Sequence, residues 1–204
     1  PQVLLLDEPL SNLDARLRLN IREEIRRLVK EIEITTIFVT HDQEEALSIS
    51  DKIVLMDEGV IQQMDDPQNL YLEPHNLFVA KFIGNPGINV LKVELKDGKI
   101  IHEGFEFPVS SLIKERFKTE LADGTYLLGA RPEDMHVKNQ GIVKVDIASV
   151  ELIGRERILN FKIGSQFSKS IVSIEHEVVQ GDTLEFDFNY NKIFLFNEDG
   201  SRVY

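Results

Sequence analysis

Two unbroken apolar runs near the start of the chain, each ending in polar chemistry, constrain the fold most. Val3 to Leu6 (VLLL) run directly into Asp7-Glu8, and TTIFVT (35–40) runs into His41. An apolar run without polar alternation predicts a strand buried on both faces, as in a parallel sheet. Between the runs, Leu17, Ile21, Ile25, Leu28 and Ile32 recur at spacings of four and three across residues 14–33. Arg18, Arg22, Arg26 and Lys30 form a parallel basic stripe. The pattern predicts an amphipathic helix whose basic face is wet. Strand, helix and strand in that order make a βαβ unit.

The pattern continues as short elements. Asp42, with Glu45 three residues on, predicts a capping box opening a short helix through Leu47. KIVLM (52–56), the turn DEG and VIQQM (60–64) predict a hairpin. Short helical stretches follow at Pro67–Leu72 and Asn76–Ile83. GNPG (84–87) then reads as a linker, dividing the chain into domains 1–84 and 85–204. Beyond it the texture is short strands: INVLKVEL and KIIHEG around Asp97-Gly98, then FEFPV, TYLLGAR, GIVKVDIASVEL, ERILNFKI, KSIVSI, DTLEFDF and KIFLF. One short helix is expected near Ser111–Phe117. Many short strands with regular turns predict a small barrel or sandwich. The whole is an incomplete α/β layer followed by an all-β domain.

Composition excludes several classes. The 204 residues hold no run of about 18 apolar residues that could span a membrane. No signal peptide is expected ahead of Pro1, because the chain starts almost inside a strand. The absence of Cys excludes disulfides and thiolate metal sites and fits a cytoplasmic protein. A net charge of −12 disfavours binding nucleic acid by phosphate neutralisation. Residues 85–204 are themselves acidic, with 19 acids against 15 bases. Their Phe161, Phe186, Phe188, Phe194 and Phe196 alternate like core residues, not like a base-stacking platform.

Ligand sites in open α/β sheets lie at the carboxyl ends of the parallel strands. If the two strands pair, Asp7, Glu8 and His41 share one crevice, because neighbouring strands are about 4.8 Å apart. Successive residues leaving a strand point in different directions, so one acid can hold a metal shell while the other faces a water. Hydrolysis of a phosphoanhydride needs that division, and His41 could donate to a terminal phosphate oxygen. Simpler readings stand beside this one. Asp-Glu also fits a polar turn, Asp14 suffices as a helix N-cap, and a lone histidine after a strand fits a loop residue. His75, His102, His136 and His176 show no ligand spacing and read as surface residues.

The joint order of these motifs resembles the second half of an ABC transporter ATPase. VLLLDEP resembles the Walker B motif, SNLDA the D-loop and THD the switch-histidine loop. GNPGIN resembles the family's domain junction, with Asn85, Gly87 and Ile88 as departures. GARPEDM (129–135) and KIFLFNEDGSRVY resemble elements of its regulatory domain. The resemblance implies a partial P-loop NTPase layer followed by a TOBE-type, OB-like barrel domain. It implies ATP and Mg²⁺ as cofactors, with Asp7 binding Mg²⁺ through water, Glu8 orienting or deprotonating the attacking water and His41 contacting the γ-phosphate. Ser11, Asn12, Leu13 and Asp14 would touch the opposite subunit of a nucleotide-sandwich homodimer.

The implied role is the energy-coupling subunit of an importer for a sugar or sugar-like solute. It would be cytoplasmic and peripheral on the inner face of the cell membrane, bound to transmembrane permease subunits. A regulatory protein at the β domain is a further implied partner, and nucleic acid is not. Importers of polyamines, metals or anions, and a non-catalytic ligand-binding β module, are the alternatives. A chromosome-maintenance or repair ATPase would share Walker B and the D-loop but not the β tail. No G-x-x-x-x-G-K-[ST] phosphate loop, L-S-G-G-Q signature or Q-loop occurs in the 204 residues. In the family all three lie upstream of Walker B, so the resemblance is to a C-terminal part, expected to be inactive alone.

Overall fold

The computed structural model describes residues 2–204, which divide into two compact units, one up to Pro74 and the other His75–Tyr204. The first unit runs β1 (Val3–Asp7), α1 (Ala15–Ile32), β2 (Thr35–Val39), α2 (Gln43–Ile49), β3 (Ile53–Asp57), β4 (Val60–Asp65) and α3 (Pro67–Leu72). β1 and β2 pair in parallel, from Val3 opposite Thr35 to Asp7 opposite Val39, which brings both strand ends side by side. The expected βαβ unit is therefore present. Its strands are not covered on both faces, however. Val3, Leu5, Ile37 and Val39 share one face and are 48–69% exposed.

The helix departs from its expected orientation. Arg18, Arg22 and Arg26 do not form a wet face but the seam against α2. Arg22 is 8% exposed and lies near Glu44, and Arg26 donates to the carbonyl of Ser48. Leu17, Leu28 and Ile32 are the exposed ones. The reason is charge: α2 and its cap present Asp42, Glu44 and Glu45 to the basic stripe, and ion pairs together with the Arg18–Asp42 and Arg26–Ser48 hydrogen bonds hold the two helices together.

The predicted hairpin forms between β3 and β4, turning on Glu58-Gly59 with both residues at positive φ. That is the turn whose twist suits a two-residue hairpin loop.

The second unit begins with α4 (Leu77–Phe82) and continues as ten strands: β5 (Asn89–Lys96), β6 (Lys99–His102), β7 (Phe105–Pro108), β8 (Gly124–Ala130), β9 (Met135–Val137), β10 (Val143–Ile153), β11 (Glu156–Ile163), β12 (Gln166–Ser173), β13 (Thr183–Phe188) and β14 (Phe194–Phe196). They form two antiparallel five-stranded sheets, β12-β11-β10-β13-β9 and β14-β8-β5-β6-β7. One apolar core serves both, with Leu128, Met135, Phe161, Phe186 and Tyr204 fully buried in it. The first sheet curls toward a nearly closed barrel, and the Ser170 hydroxyl donates to the Met135 carbonyl across the gap between its edge strands. In place of the short helix expected near Ser111–Phe117, two single 3-10 turns span Val109–Ser111 and Lys114–Arg116.

Two side-chain amides, a buried one from Asn89 and a half-buried one from Gln166, stitch the sheets together. The Asn89 carboxamide donates to the Lys169 carbonyl (2.8 Å) and accepts from the Lys169 N–H (2.7 Å), completing a surrogate strand bridge between β5 and β12. Gln166 accepts from the Lys92 N–H and donates to the Val90 carbonyl. His102, expected on the surface, is instead half-buried, stacked on Phe105 and bonded to Gln166.

The division between units falls ahead of GNPG. α4 packs Leu77 and Ala80 against Ile88, Phe194 and Phe196, and the Leu77 N–H donates to the Gly200 carbonyl. The last helix before the glycines thus belongs with the β unit.

Candidate functional site

The site is built where β1 and β2 end together. β1 stops at Asp7, whose carboxylate is exposed and makes no hydrogen bond or ion pair among the described residues. Glu8 then turns into the left-handed region at φ 43, while its N–H still donates to the Val39 carbonyl (2.9 Å). A non-glycine residue there costs about 1–2 kcal/mol. The turn sends the two acids in different directions. The Glu8 carboxylate meets the His41 ring, with Oε1 3.1 Å from Nδ1. Both are open to solvent, at 46% and 74% side-chain exposure, so the pair is accessible to a ligand.

The loop that follows is tied to Glu8. The Ser11 N–H and hydroxyl both donate to the Glu8 carbonyl, and the Leu13 N–H donates to the Leu10 carbonyl. Leu10 is buried; Ser11 and Asn12 are exposed at the tip, and Leu13 is half-buried. Asp14 caps α1, one carboxylate oxygen accepting from the Arg16 and Leu17 N–H groups at 3.1 and 2.9 Å. Its capping role is thus occupied structurally.

The loop holding His41 is fixed by a ring of polar groups. Asp42 caps α2 with one oxygen, accepting from the Glu44 and Glu45 N–H groups. The Thr40 hydroxyl accepts from the Asp42 N–H (3.0 Å) and donates to Glu45 (2.7 Å), which is 3% exposed. The capping box is therefore relayed through Thr40: Glu45 does not reach back to the backbone directly. These residues went unremarked as site residues in the sequence. A signal was available, since Arg18 and Arg22 face a segment carrying Asp42, Glu44 and Glu45.

The structure thus brings Glu8 and His41 into contact, leaves Asp7 free beside them, and sets Ser11 to Asp14 on the adjoining loop. No group of three or more acid, histidine or cysteine side chains arranged to hold a metal occurs among the described residues. A lone free carboxylate still suits Mg²⁺, which is bound through one or two carboxylates together with substrate phosphates and water. A free acid and an acid–imidazole pair at the ends of two paired strands can together bind a cation–phosphate complex and orient a water. No helix among the described residues is long and apolar enough to cross a membrane.

No family model matches the chain. Curated proteins do. The oligosaccharides import ATP-binding protein MsmX of Bacillus subtilis is 38% identical over 208 residues, covering 97% of this chain and 56% of the relative. The trehalose/maltose import ATP-binding protein MalK of Thermococcus litoralis is 36% identical over 211 residues, 97% of this chain and 56% of the relative. An ABC transporter ATP-binding protein of Mycoplasma pneumoniae is 38% identical over 200 residues, 97% of this chain but 33% of the relative. The chain thus spans between a third and just over half the length of these relatives. Among solved structures, the molybdate-bound form of a cytoplasmic molybdate-binding protein shares 11% identity over 52% of this chain and 94% of its own, at a TM-score of 0.39, too low to bear on fold or ligand.

Proposed function

We infer that this chain, homologous over nearly its whole length to part of the ATP-binding subunits of sugar importers, belongs to the ATP-hydrolysing, energy-coupling subunit of an ABC importer for a sugar or sugar-like solute. In this reading the βαβ unit is part of a P-loop NTPase layer and the two-sheet unit is its TOBE-type domain. The observation that carries the reading is the contact between Glu8 and His41, beside an unpaired Asp7, at the ends of two adjacent parallel strands.

Each residue has a part suited to its place. Asp7, free and exposed, holds the Mg²⁺ of Mg-ATP. That ion neutralises phosphate charge when bound. Glu8 accepts a hydrogen bond from the attacking water and draws its proton, the task of a positioned general base. The His41 ring bonds the Glu8 carboxylate through Nδ1, which carries a proton to do so, and donation from Nε2 to the terminal phosphate then requires the doubly protonated ring. Ser11 to Asp14, on the loop tied to the Glu8 carbonyl, meet the opposing subunit of a homodimer. The subunit is peripheral on the inner face of the membrane, where permease subunits receive the work of hydrolysis.

The test is Glu8→Gln in the full-length subunit. The amide keeps the shape but removes the charge that orients water, so turnover falls by about 10² or more while Mg-ATP still binds. Near-normal turnover in that variant would overturn the role of Glu8 and with it the reading of the site.

A further inference from the structure

The Arg18 side chain bonds into both loops of the site. It lies in the first turn of α1. Its Nη2 donates to the Leu13 carbonyl (3.1 Å), in the loop that carries Ser11 to Asp14. Its Nη1 donates to the Asp42 carboxylate (3.4 Å), beside His41. Its Nε is buried without a hydrogen-bond partner and points to Glu45, 3.7 Å from Oε1. The neighbouring basic residues differ: Arg22 approaches Glu44, and Arg26 donates to the Ser48 carbonyl, so both reach only α2.

These contacts close a circuit. Glu8 is joined to the Ser11 loop through its carbonyl, that loop to Arg18 through Leu13, Arg18 to Asp42, and His41 back to the Glu8 carboxylate. Arg18 is the brace across it. We propose that Arg18 is a positioning residue that locks the loop of Ser11 to Asp14 to the loop of His41, so that a displacement of either is carried to the Glu8–His41 pair. The proposal rests on the functional reading above for its kinetic consequence, but the brace itself is independent of it. A planar guanidinium serves acceptors in separate directions from one rigid fork. A lysine ammonium at this place reaches one loop at a time.

The test uses the full-length subunit with Arg18→Met, Arg18→Lys and, as a control in the same helix seam, Arg26→Met. Steady-state hydrolysis is read as kcat and KM for ATP, and amide hydrogen exchange is followed in nucleotide-free protein over residues 10–14 and 40–42. Misplacing catalytic groups acts on turnover more than on binding, so Arg18→Met lowers kcat at least about tenfold with KM within about twofold. Arg18→Lys keeps the charge and the fold yet still loses kcat. Exchange quickens in both segments for Arg18→Met, whereas Arg26→Met lowers the melting temperature and leaves kcat near wild type. The proposal is overturned if Arg18→Met and Arg18→Lys keep full kcat, if Arg26→Met loses as much, or if exchange changes in only one segment. A wild-type subunit with no ATP hydrolysis would sink the functional reading instead, and the exchange data would still decide the brace.

Discussion

Replacing Asn89 by Leu removes the clearest polar link between the two sheets of the β unit. Asn89 is 5% exposed and its carboxamide makes two short bonds to the Lys169 backbone, at 2.8 and 2.7 Å. Each such bond contributes about 0.5–1.5 kcal/mol net, so the pair is worth about 1–3 kcal/mol. Leucine fills the volume but leaves the Lys169 N–H and C=O facing an apolar side chain, which places the loss toward the upper end. Asn89→Asp retains an acceptor for the N–H but sets a carboxylate against the carbonyl, so it should lose at least half as much. The chain contains no Trp, so urea unfolding is best followed by far-ultraviolet circular dichroism. With a slope of about 2 kcal/mol per M, the expected loss moves the β-unit midpoint down by about 0.5–1.5 M. A midpoint for Asn89→Leu that does not move would show that water or the remaining ladder satisfies Lys169, and that the stitch is incidental.

Two further outcomes follow from the geometry. Burial raises the Asp134 carboxyl above its ordinary 3.8, against the opposing pull of Lys192 at 3.2 Å. The folded state then holds its proton to higher pH than the unfolded chain, so this group's stabilisation is full below 3.8 and is lost as pH rises through the raised value. Wild type should therefore lose stability relative to Asp134→Asn as pH climbs from 3 toward neutrality, and a gap moving in wild type's favour would contradict the assignment. Calorimetric titration of the 204-residue chain with Mg-ATP should show no micromolar binding, because most affinity for phosphates comes from the backbone N–H groups and lysine of a phosphate loop, and no such motif occurs in its sequence. Tight binding, or phosphate release abolished by Glu8→Gln, would refute it.

Much of the first unit was legible because its elements carry strong local signals. β1, α1 and β2 appear within a residue or so of their expected bounds, since uninterrupted apolar runs and a long 3.6-residue period leave few alternatives. Asp14, Asp42 and the Glu58-Gly59 turn act where their chemistry directs. The orientation of α1 was not legible. A basic stripe opposite an apolar stripe ordinarily faces water, and only the spatial approach of α2 reverses that. β9 was missed because three residues, Met135–Val137, are too few to show alternation. At the site, the strand-end acids and His41 could be read from sequence. The Arg18 brace could not, because it joins residues that only the fold brings together, whereas the Thr40–Glu45 relay is local: its acid was readable as part of a capping box and its intervening hydroxyl was not.

The two units differ in how completely they bury what they carry, and the difference bears on the site. In the β unit both sheets close on one core, and the large aromatic residues within it are nearly all out of solvent. In the first unit the parallel sheet has two strands and stands apart from the β3-β4 hairpin, β2 pairs only with β1 among the described residues, and the face carrying Val3, Leu5, Ile37 and Val39 stays half open. Fully covering an aliphatic side chain contributes about 1.5–3 kcal/mol, so four half-open ones leave roughly 3–6 kcal/mol unclaimed on that face. An open edge with such a face also favours pairing with another chain. Asp7, Glu8 and His41 all sit at the ends of these strands, and their geometry can be no firmer than the strands beneath them. Covering that face would therefore stabilise the platform of the site directly, which ties the precision of the Glu8–His41 contact to packing on one face of the same two strands.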